Sequence, residues 1–189
     1  YDINIVLSSD SGQTWGSPIQ PHDDQSMQQH GFLTLLPTAQ DKMLAVWLDA
    51  REYNSQDFGG SFNNAVQLRS TIIGKDGTLG SDTPLDLRAC SCCQTSASIT
   101  GDGTVLIAYR DRTADEIRDI SIVRRYNGVW SDPVNIHADG WEISGCPVNG
   151  PAIDAHATNA VVAWFTGADD IPTVKVAFSE DSGATFGTA

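Results

Sequence analysis

The sequence predicts an all-β chain. Helical periodicity is nearly absent, and strand-like alternation bounded by Gly, Asp, Asn and Pro turns runs through its 189 residues. One apolar strand with an aromatic end occurs three times, as Leu44–Trp47, Leu106–Tyr109 and Val161–Trp164. The aromatic residues at positions 47, 109 and 164 are 62 and 55 residues apart, which indicates an internal repeat.

Each copy of this strand has similar neighbours in the same order. A strand of small residues precedes it, a third strand follows it, and a fourth closes the unit. The first-strand candidates are Thr95–Ile99 and Gly150–Ile153, the third-strand candidates are Ala65–Ile72, Ile120–Arg125 and Thr173–Phe178, and the fourth-strand candidate is Trp130–Ile136. Four antiparallel strands per repeat predict the blades of a β-propeller.

The beginning of the chain fits the same scheme, with Asn4–Leu7 as a third strand and Pro18–Gln20 as a fourth. The predicted division is a half blade at 1–21, blades at 22–88 and 89–137, and an incomplete blade at 138–189. A closed propeller needs at least four blades. We therefore expect either self-association or further blades outside this sequence.

Composition excludes several functional classes. The net charge is −13, from 24 acidic and 11 basic residues, which argues against nucleic acid as a partner. No run of 18 apolar residues is present, so we expect no membrane span. No acidic loop of the EF-hand kind occurs, and we predict no cofactor and no metal.

Two turns share the pattern S-x-D-x-G-x-T-aromatic, and each follows a predicted third strand. Ser and Asp side chains can accept hydrogen bonds from the turn backbone, Gly allows a conformation that other residues resist, and the aromatic ring is expected to pack into the blade. We interpret these residues as structural. They are Ser8, Asp10, Gly12 and Trp15 in the first turn, and Ser179, Asp181, Gly183 and Phe186 in the second.

This pattern is the Asp-box. With the stretches Cys92–Thr95, Tyr109–Arg112, Asp139–Ile143 and Gly145–Pro151, it makes nearly the whole chain resemble the Asp-box (BNR-repeat) sialidase superfamily, in particular secreted bacterial exo-sialidase-like proteins. The resemblance implies a fragment or half of a six-bladed propeller. It also implies a secreted or periplasmic location, and an acidic glycan or other carbohydrate as partner.

Strand order places the loops between second and third strands on the same face as the connections between blades. These loops hold all four Cys and most of the Arg, so we expect the ligand there. We predict that Arg51, Arg110, Arg112 and Arg118 bind substrate, since Arg recognises carboxylates with paired hydrogen bonds. The resemblance implies a Tyr nucleophile, a Glu and a carboxylic acid, for which the candidates are Tyr53, Glu116 and Asp111. The alternative is that these Arg and acidic residues pair with one another across the loop ends.

The disulfide candidates are Cys90, Cys92, Cys93 and Cys146. We expect Cys146 to bridge to Cys92 or Cys93, and spacing does not decide between them. A soft-metal site of thiolates with His30, or free buried thiols, are the alternatives.

Two functions follow from these residues. The first is a secreted carbohydrate-directed propeller, in its sharpest form an exo-sialidase-like glycoside hydrolase acting on acidic glycans. The alternative is a non-catalytic Asp-box propeller that binds glycan or protein, or serves as a scaffold.

Overall fold

A computed structural model describes residues 1–39, 41–54 and 65–189, and the predicted all-β class is confirmed. The described residues form twelve strands, and one 3-10 turn lies at Ala168–Asp170. The strands are β1 His30–Thr38, β2 Lys42–Asp49, β3 Val66–Gly74, β4 Thr83–Ala89, β5 Ser96–Ile99, β6 Val105–Arg110, β7 Ile120–Tyr126, β8 Val129–Trp130, β9 Val134–Asn135, β10 Ala152–His156, β11 Asn159–Thr166 and β12 Thr173–Ser179. The described residues contain no helix that is long and apolar enough to span a bilayer.

The first sheet is an antiparallel meander in the order β1-β2-β3-β4. β2 pairs with both neighbours along its length, and Asp49 at its end lies opposite His30 on β1 and Gln67 on β3. Six consecutive residues from Leu44 to Asp49 are buried, because both faces of the strand are covered.

The second sheet has the order β5-β6-β7-β8 with β9 also paired to β7, and the third has the order β10-β11-β12. The predicted single strand Trp130–Ile136 is wrong in detail, because it divides into β8 and β9 around Pro133. Proline lacks the N–H that a ladder needs. β10 also continues to His156, three residues past its predicted end.

The sheets stack face to face with a separate apolar cluster at each junction. Leu48, Leu68 and Tyr109 belong to the cluster between the first and second sheets. Ala108 and Trp164 belong to the cluster between the second and third. Burial of these faces is the main source of stability in a stacked β-sheet architecture.

The first strands of the three sheets lie side by side. Thr34 Oγ1 on β1 donates to the Thr95 carbonyl beside β5 (2.9 Å), and the Ile153 amide on β10 donates to Ser96 Oγ on β5 (3.2 Å). Before β1, Ile5 and Ile19 form an antiparallel bridge. Successive antiparallel sheets that meet along their first strands are arranged as the blades of a propeller.

The third sheet leaves one apolar face open among the described residues. Val174, Val176 and Phe178 alternate along β12 and are 70%, 38% and 64% exposed. The opposite face carries Ala177, which is fully buried against the second sheet. The more apolar face of this strand is therefore the less covered one.

Candidate functional site

The loops that were predicted to share one face are joined by backbone hydrogen bonds. The Cys90 amide, after β4, donates to the carbonyl of Arg110 at the end of β6 (3.0 Å). The Arg118 amide, before β7, donates to the carbonyl of Trp141 in the loop before β10 (2.8 Å). Three loops, which adjoin all three sheets, are thus joined to one another.

Glu116 lies at the centre of an arginine–glutamate cluster made of Arg88, Arg112, Glu116 and Arg118. Arg112 Nη2 donates to Glu116 Oε1 and Arg118 Nη2 donates to Glu116 Oε2, each at 2.6 Å. Arg88 Nη2 lies 3.9 Å from Glu116 Oε1. Glu116 has a φ of 61°, a left-handed backbone that costs a non-glycine residue energy and is concentrated at functional sites.

Three guanidiniums and the carboxylate of Glu116 meet in this cluster, and Asp111 and the Cys90 thiol lie beside it. Burial favours the neutral acid, but hydrogen bonds from Arg112 and Arg118 lower the pKa of Glu116 below its ordinary value. Burial, followed by repulsion from Arg112 and Arg118, lowers the pKa of Arg88. An added anion would therefore reduce the repulsion among the three arginines.

Asp111 is a second carboxyl group in contact with Arg112. Its Oδ1 accepts from the Arg112 amide (2.6 Å), and its Oδ2 accepts from Ser121 Oγ (2.8 Å). Burial and the nearby charge of Asp86 raise the pKa of Asp111 to about 6. Glu116 and Asp111 thus touch one arginine while their environments shift their pKa values in opposite directions.

Tyr109 and Asp86 extend the site into the blade. The buried Tyr109 hydroxyl donates a short hydrogen bond to Asp86 Oδ2. Burial raises the pKa of both groups, and for Tyr109 the charge of Asp86 adds to the effect. Tyr109 and Asp86 therefore form a polar but largely desolvated pair close to Asp111.

Arg110 was predicted to bind substrate, but its geometry is that of a buried structural residue. It is 1% exposed, and its three nitrogens donate to the carbonyls of Asn149, Arg118 and Phe165. Its guanidinium also stacks over Trp141, 4.9 Å from the ring centroid. These contacts engage all three guanidinium nitrogens, so we leave Arg110 out of the proposed ligand-binding group.

Arg51 and Tyr53 follow β2 rather than β6, and they lie in different surroundings. Arg51 makes a paired contact with Asp49 through Nε and Nη2 (2.9 and 2.7 Å) and also donates to Asp82 (2.6 Å). Tyr53 packs its ring against the apolar cluster that contains Ala50. Arg51 thus meets the prediction that acids and arginines pair across loop ends.

The cysteines form one cluster, and Cys92 is bonded to Cys146, which confirms the expected bridge between the two loops. Cys90 and Cys93 are free, buried thiols with their sulfurs 3.3 Å apart. Arg118 Nη1 lies 3.2 Å from Cys90 Sγ. The hydrogen bond from Cys93 and then the Arg118 contact lower the pKa of Cys90 to about 6, although burial opposes this.

His30 does not join the thiolates, so the alternative metal site of thiolates with His30 is not formed. It belongs to a histidine–aspartate cluster made of Asp2, His22, Asp24, His30 and Asp49. The rings of His22 and His30 stack in parallel with their centroids 3.7 Å apart. Cys90, Cys92 and Cys93 form a separate group of potential ligands, but the disulfide removes the Cys92 thiolate.

The two S-x-D-x-G-x-T turns have nearly the same internal geometry. Asp10 accepts from the Thr14 amide (2.9 Å) and hydroxyl (2.6 Å), and Asp181 accepts from Thr185 at the same two distances. Ser8 and Ser179 accept from the amides of Gly12 (2.8 Å) and Gly183 (2.9 Å), which have φ values of 82° and 74°. These hydrogen bonds from Thr lower the pKa of each Asp to about 2.

The aromatic residues that end the two turns differ in burial. Phe186 packs against the apolar cluster between the second and third sheets, as predicted. Trp15 is 61% exposed, so the prediction that it packs into the blade is wrong. In the second turn, Gly183 faces Leu106 of the second sheet. In the first turn, the equivalent Gly12 has only Trp15 nearby among the described residues.

Asp86 and Arg88 are site residues that the sequence reasoning did not select. A signal was present, because Asp86, Arg88 and Cys90 alternate with the exposed Leu87, and alternate residues of a strand share a face. His22 and Asp24 were also missed, since nothing in their spacing relates them to His30 or Asp49.

The fold and site define an all-β chain of propeller-type sheets with a charged surface on one face. It is similar to a solved ulvan lyase of polysaccharide lyase family PL25 bound to -[GlcA(1-4)Rha3S]-, with 12% identity, 98% of this chain and 48% of that chain covered, and a TM-score of 0.63. It is also similar to an α-L-arabinanase of Penicillium chrysogenum complexed with arabinobiose, with 12% identity, coverage of 98% and 54%, and a TM-score of 0.52.

A protein of unknown function from Dyadobacter fermentans matches 84% of this chain and 53% of its own, with 14% identity and a TM-score of 0.51. This chain therefore spans about half the length of the structures it matches. No family model and no curated protein sequence matches it. At these identities the likeness concerns the fold.

Proposed function

We propose that this chain is part of a secreted or periplasmic, carbohydrate-directed propeller whose arginine–glutamate cluster binds the acidic group of a glycan. The observation that carries the proposal is the convergence of Arg88, Arg112 and Arg118 on Glu116 in a chain of net charge −13. In such a chain, arginines gathered at one place favour a directed contact with a specific anion over nonspecific attraction.

Glu116 shows what the cluster can hold. Its two oxygens accept from two different arginines at 2.6 Å, which is how a bound carboxylate would be gripped. A ligand carboxylate that joins or displaces Glu116 would find both donors already oriented. These side chains therefore lose little further conformational entropy when the ligand binds.

The sharper proposal is an exo-sialidase-like glycoside hydrolase. Glycosidases use two carboxyl groups, one protonated and one ionised. The pKa of Asp111 is raised to about 6 and that of Glu116 is lowered, so Asp111 suits the acid and Glu116 the base or the partner of a nucleophile. Tyr53 remains the proposed nucleophile on the resemblance alone.

Similar proteins and cysteine chemistry support the broader part of the proposal. The ligands bound in two similar structures are saccharides, -[GlcA(1-4)Rha3S]- and arabinobiose. The Cys92–Cys146 disulfide suits an oxidising compartment. The division into segments 1–21, 22–88, 89–137 and 138–189 remains our proposal for the blades.

A second candidate, a non-catalytic glycan- or protein-binding propeller, is favoured by one observation. Both oxygens of Glu116 are already occupied by arginine donors. A carboxylate held in this way is a weak base, because its charge is neutralised. Binding without turnover is the expected behaviour in that case.

The test is a calorimetric titration with sialyllactose and with a glucuronate oligosaccharide, combined with a hydrolysis assay on a fluorogenic sialoside. Arg112→Ala should weaken binding about 30-fold or more, as expected when a desolvated charge loses its partner. The matched control is Arg125→Ala, at the other end of β7, where the guanidinium lies over Trp130. It should bind like the parent chain.

The pattern of results separates the candidates. If Asp111→Asn abolishes hydrolysis of the sialoside but still binds the glycan, the hydrolase proposal is supported. Binding that depends on Arg112 without turnover supports the binding module. If neither glycan binds to the full-length protein that carries this segment, the carbohydrate-directed proposal is overturned.

A further inference from the structure

The histidine–aspartate cluster carries more negative charge than its protein partners neutralise. Five carboxylates, those of Asp2, Asp23, Asp24, Asp49 and Asp82, are linked by ion-pair contacts to two histidines and to two arginines, Arg51 and Arg69. The five carboxylates outnumber the two arginines and the two histidines taken together. Three of them, Asp24, Asp49 and Asp82, are largely buried, where unneutralised carboxylates are unfavourable unless cations join them.

His30 is the central residue of this cluster and is completely buried. Its side chain is 0% exposed, and among the described residues neither ring nitrogen has a hydrogen-bond partner. One oxygen of Asp24, Oδ2, is also buried without a partner in the same part of the chain. Buried polar groups are almost always satisfied, so His30 Nε2 and Asp24 Oδ2 call for a ligand.

The distances around His30 suit a shared ion better than direct hydrogen bonds. Its Nε2 lies 3.2 Å from Asp24 Oδ1 and 3.6 Å from Asp49 Oδ2, yet neither pair has hydrogen-bond geometry. Metal–ligand bonds of about 2.1 Å at tetrahedral angles place neighbouring ligand atoms roughly 3.4 Å apart. His30 Nε2 and one oxygen each of Asp24 and Asp49 all lie within 4.8 Å of one another, close enough to ligate one ion. Asp49 Oδ2 also accepts from Trp47 and Arg51.

The other edge of His30 has the support that a ligating imidazole needs. Asp2 Oδ1 lies 3.4 Å from His30 Nδ1 and 2.7 Å from His22 Nε2. A carboxylate on that side keeps the proton on Nδ1 and leaves the Nε2 lone pair facing Asp24 and Asp49. His22 stacks on the ring and contacts Asp24 through Nδ1 (2.7 Å), so it orients both ligands.

We infer that Asp24, His30 and Asp49 bind a divalent transition-metal ion of the zinc type, with Asp2 and His22 as positioning residues. One imidazole and two carboxylates form a mixed nitrogen and oxygen set, which suits Zn²⁺ or Mn²⁺ better than Ca²⁺, an ion that prefers six to eight oxygens. The ion links the segment before β1, through Asp24, to the first residue of β1 and the last residue of β2. It does not depend on the proposed glycan site.

The test uses the whole 189-residue chain, freed of metal with a chelator and titrated with Zn²⁺ by calorimetry, with Mn²⁺ and Ca²⁺ as comparisons. We expect one Zn²⁺ per chain at pH 7.5, a higher Tm with Zn²⁺, and weaker binding of Ca²⁺. His30→Gln and Asp24→Asn should each weaken Zn²⁺ binding at least 10-fold. His156→Gln, which changes an exposed histidine at the end of β10, is the matched control.

The free thiols of Cys90 and Cys93 are the competing zinc ligands, and Co²⁺ distinguishes them. Thiolate ligands produce an intense near-ultraviolet charge-transfer band, whereas one imidazole with two carboxylates does not. A thiolate band, binding that both variants retain, or less than a fifth of an equivalent of Zn²⁺ would each overturn the assignment. If His30→Gln fails to fold by circular dichroism, Asp24→Asn, which conserves shape, decides the outcome.

Discussion

The loops after β2 and β6 occupy equivalent positions in adjacent sheets, but they have opposite charge balance. After β2, Arg51 lies among the carboxylates of Asp23, Asp24, Asp49 and Asp82. After β6, Glu116 lies among three arginines. The same topological position is therefore suited to a cation in one sheet and to an anion in the next.

The residue that ends each strand accounts for much of this difference. Asp49 ends β2, is fully buried, and accepts hydrogen bonds from Trp47 and Arg51, so it holds the arginine in place. Arg110 ends β6 and turns inward to three backbone carbonyls. In the second loop, Arg112 and the buried Arg118 are the arginines that contact Glu116.

The largest expected effect follows from removing the inward arginine. Arg110→Ala should lower the free energy of unfolding by about 3–5 kcal/mol, since three carbonyls lose the donor that a buried guanidinium supplies and a cavity remains. Urea denaturation followed by circular dichroism measures it. Arg125→Ala, which removes a partly exposed arginine on β7, should change the value by less than about 1 kcal/mol. An Arg110→Ala protein as stable as the parent chain would show that the inward arginine does not hold the end of β6.

The raised pKa of Asp111 gives the next effect. With an ordinary pKa of 3.8 when unfolded and about 6 when folded, the native state binds the extra proton between these values. Its contribution to stability is therefore complete below about pH 4 and lost as pH rises through 6. Relative to the parent chain, Asp111→Asn should gain about 1–3 kcal/mol between pH 4 and pH 7. Parallel pH dependence of the two proteins in urea denaturation would contradict the assignment.

A smaller effect concerns the two faces of the third sheet, one covered and one open. The open face, with Val174, Val176 and Phe178, should cause concentration-dependent self-association of the 189-residue chain. Val174→Lys should weaken association about 10-fold in sedimentation velocity. Val129→Lys is the control, because Val129 on β8 is equally exposed at 70% but lies outside that face. A stable monomer of 20.3 kDa at all concentrations would rule out this role for the face.

The smallest effect compares the two S-x-D-x-G-x-T turns. Asp181→Asn should lower the Tm by a few degrees, because its turn also holds Phe186 in the core and Ser182 against Asp102 (2.8 Å). Asp10→Asn should lower it less, since Trp15 is exposed. Scanning calorimetry measures both. An equal or larger shift at Asp10 would mean that the turns act locally, without their aromatic residues.

The sequence alone determined the features that depend on local pattern. A short apolar run with an aromatic end predicted β2, β6 and β11 closely, because a strand that is covered on both faces needs apolar residues on both. The turn motif likewise specified its own hydrogen bonds, which repeat within 0.1 Å at two places. The sequence limited the expected disulfide to two pairs, Cys146 with Cys92 or with Cys93, and the first of them forms.

Only the tertiary structure decided which charged side chains pair within the protein and which remain available to a ligand. The sequence placed Arg51, Arg110, Arg112 and Arg118 in one group, but a guanidinium can meet a carbonyl, a carboxylate or a ligand with similar geometry. Its choice depends on acceptors far away in the chain, such as Phe165 for Arg110 and Asp82 for Arg51. The histidine–aspartate cluster was hidden for the same reason, since its members come from three segments that only folding brings together.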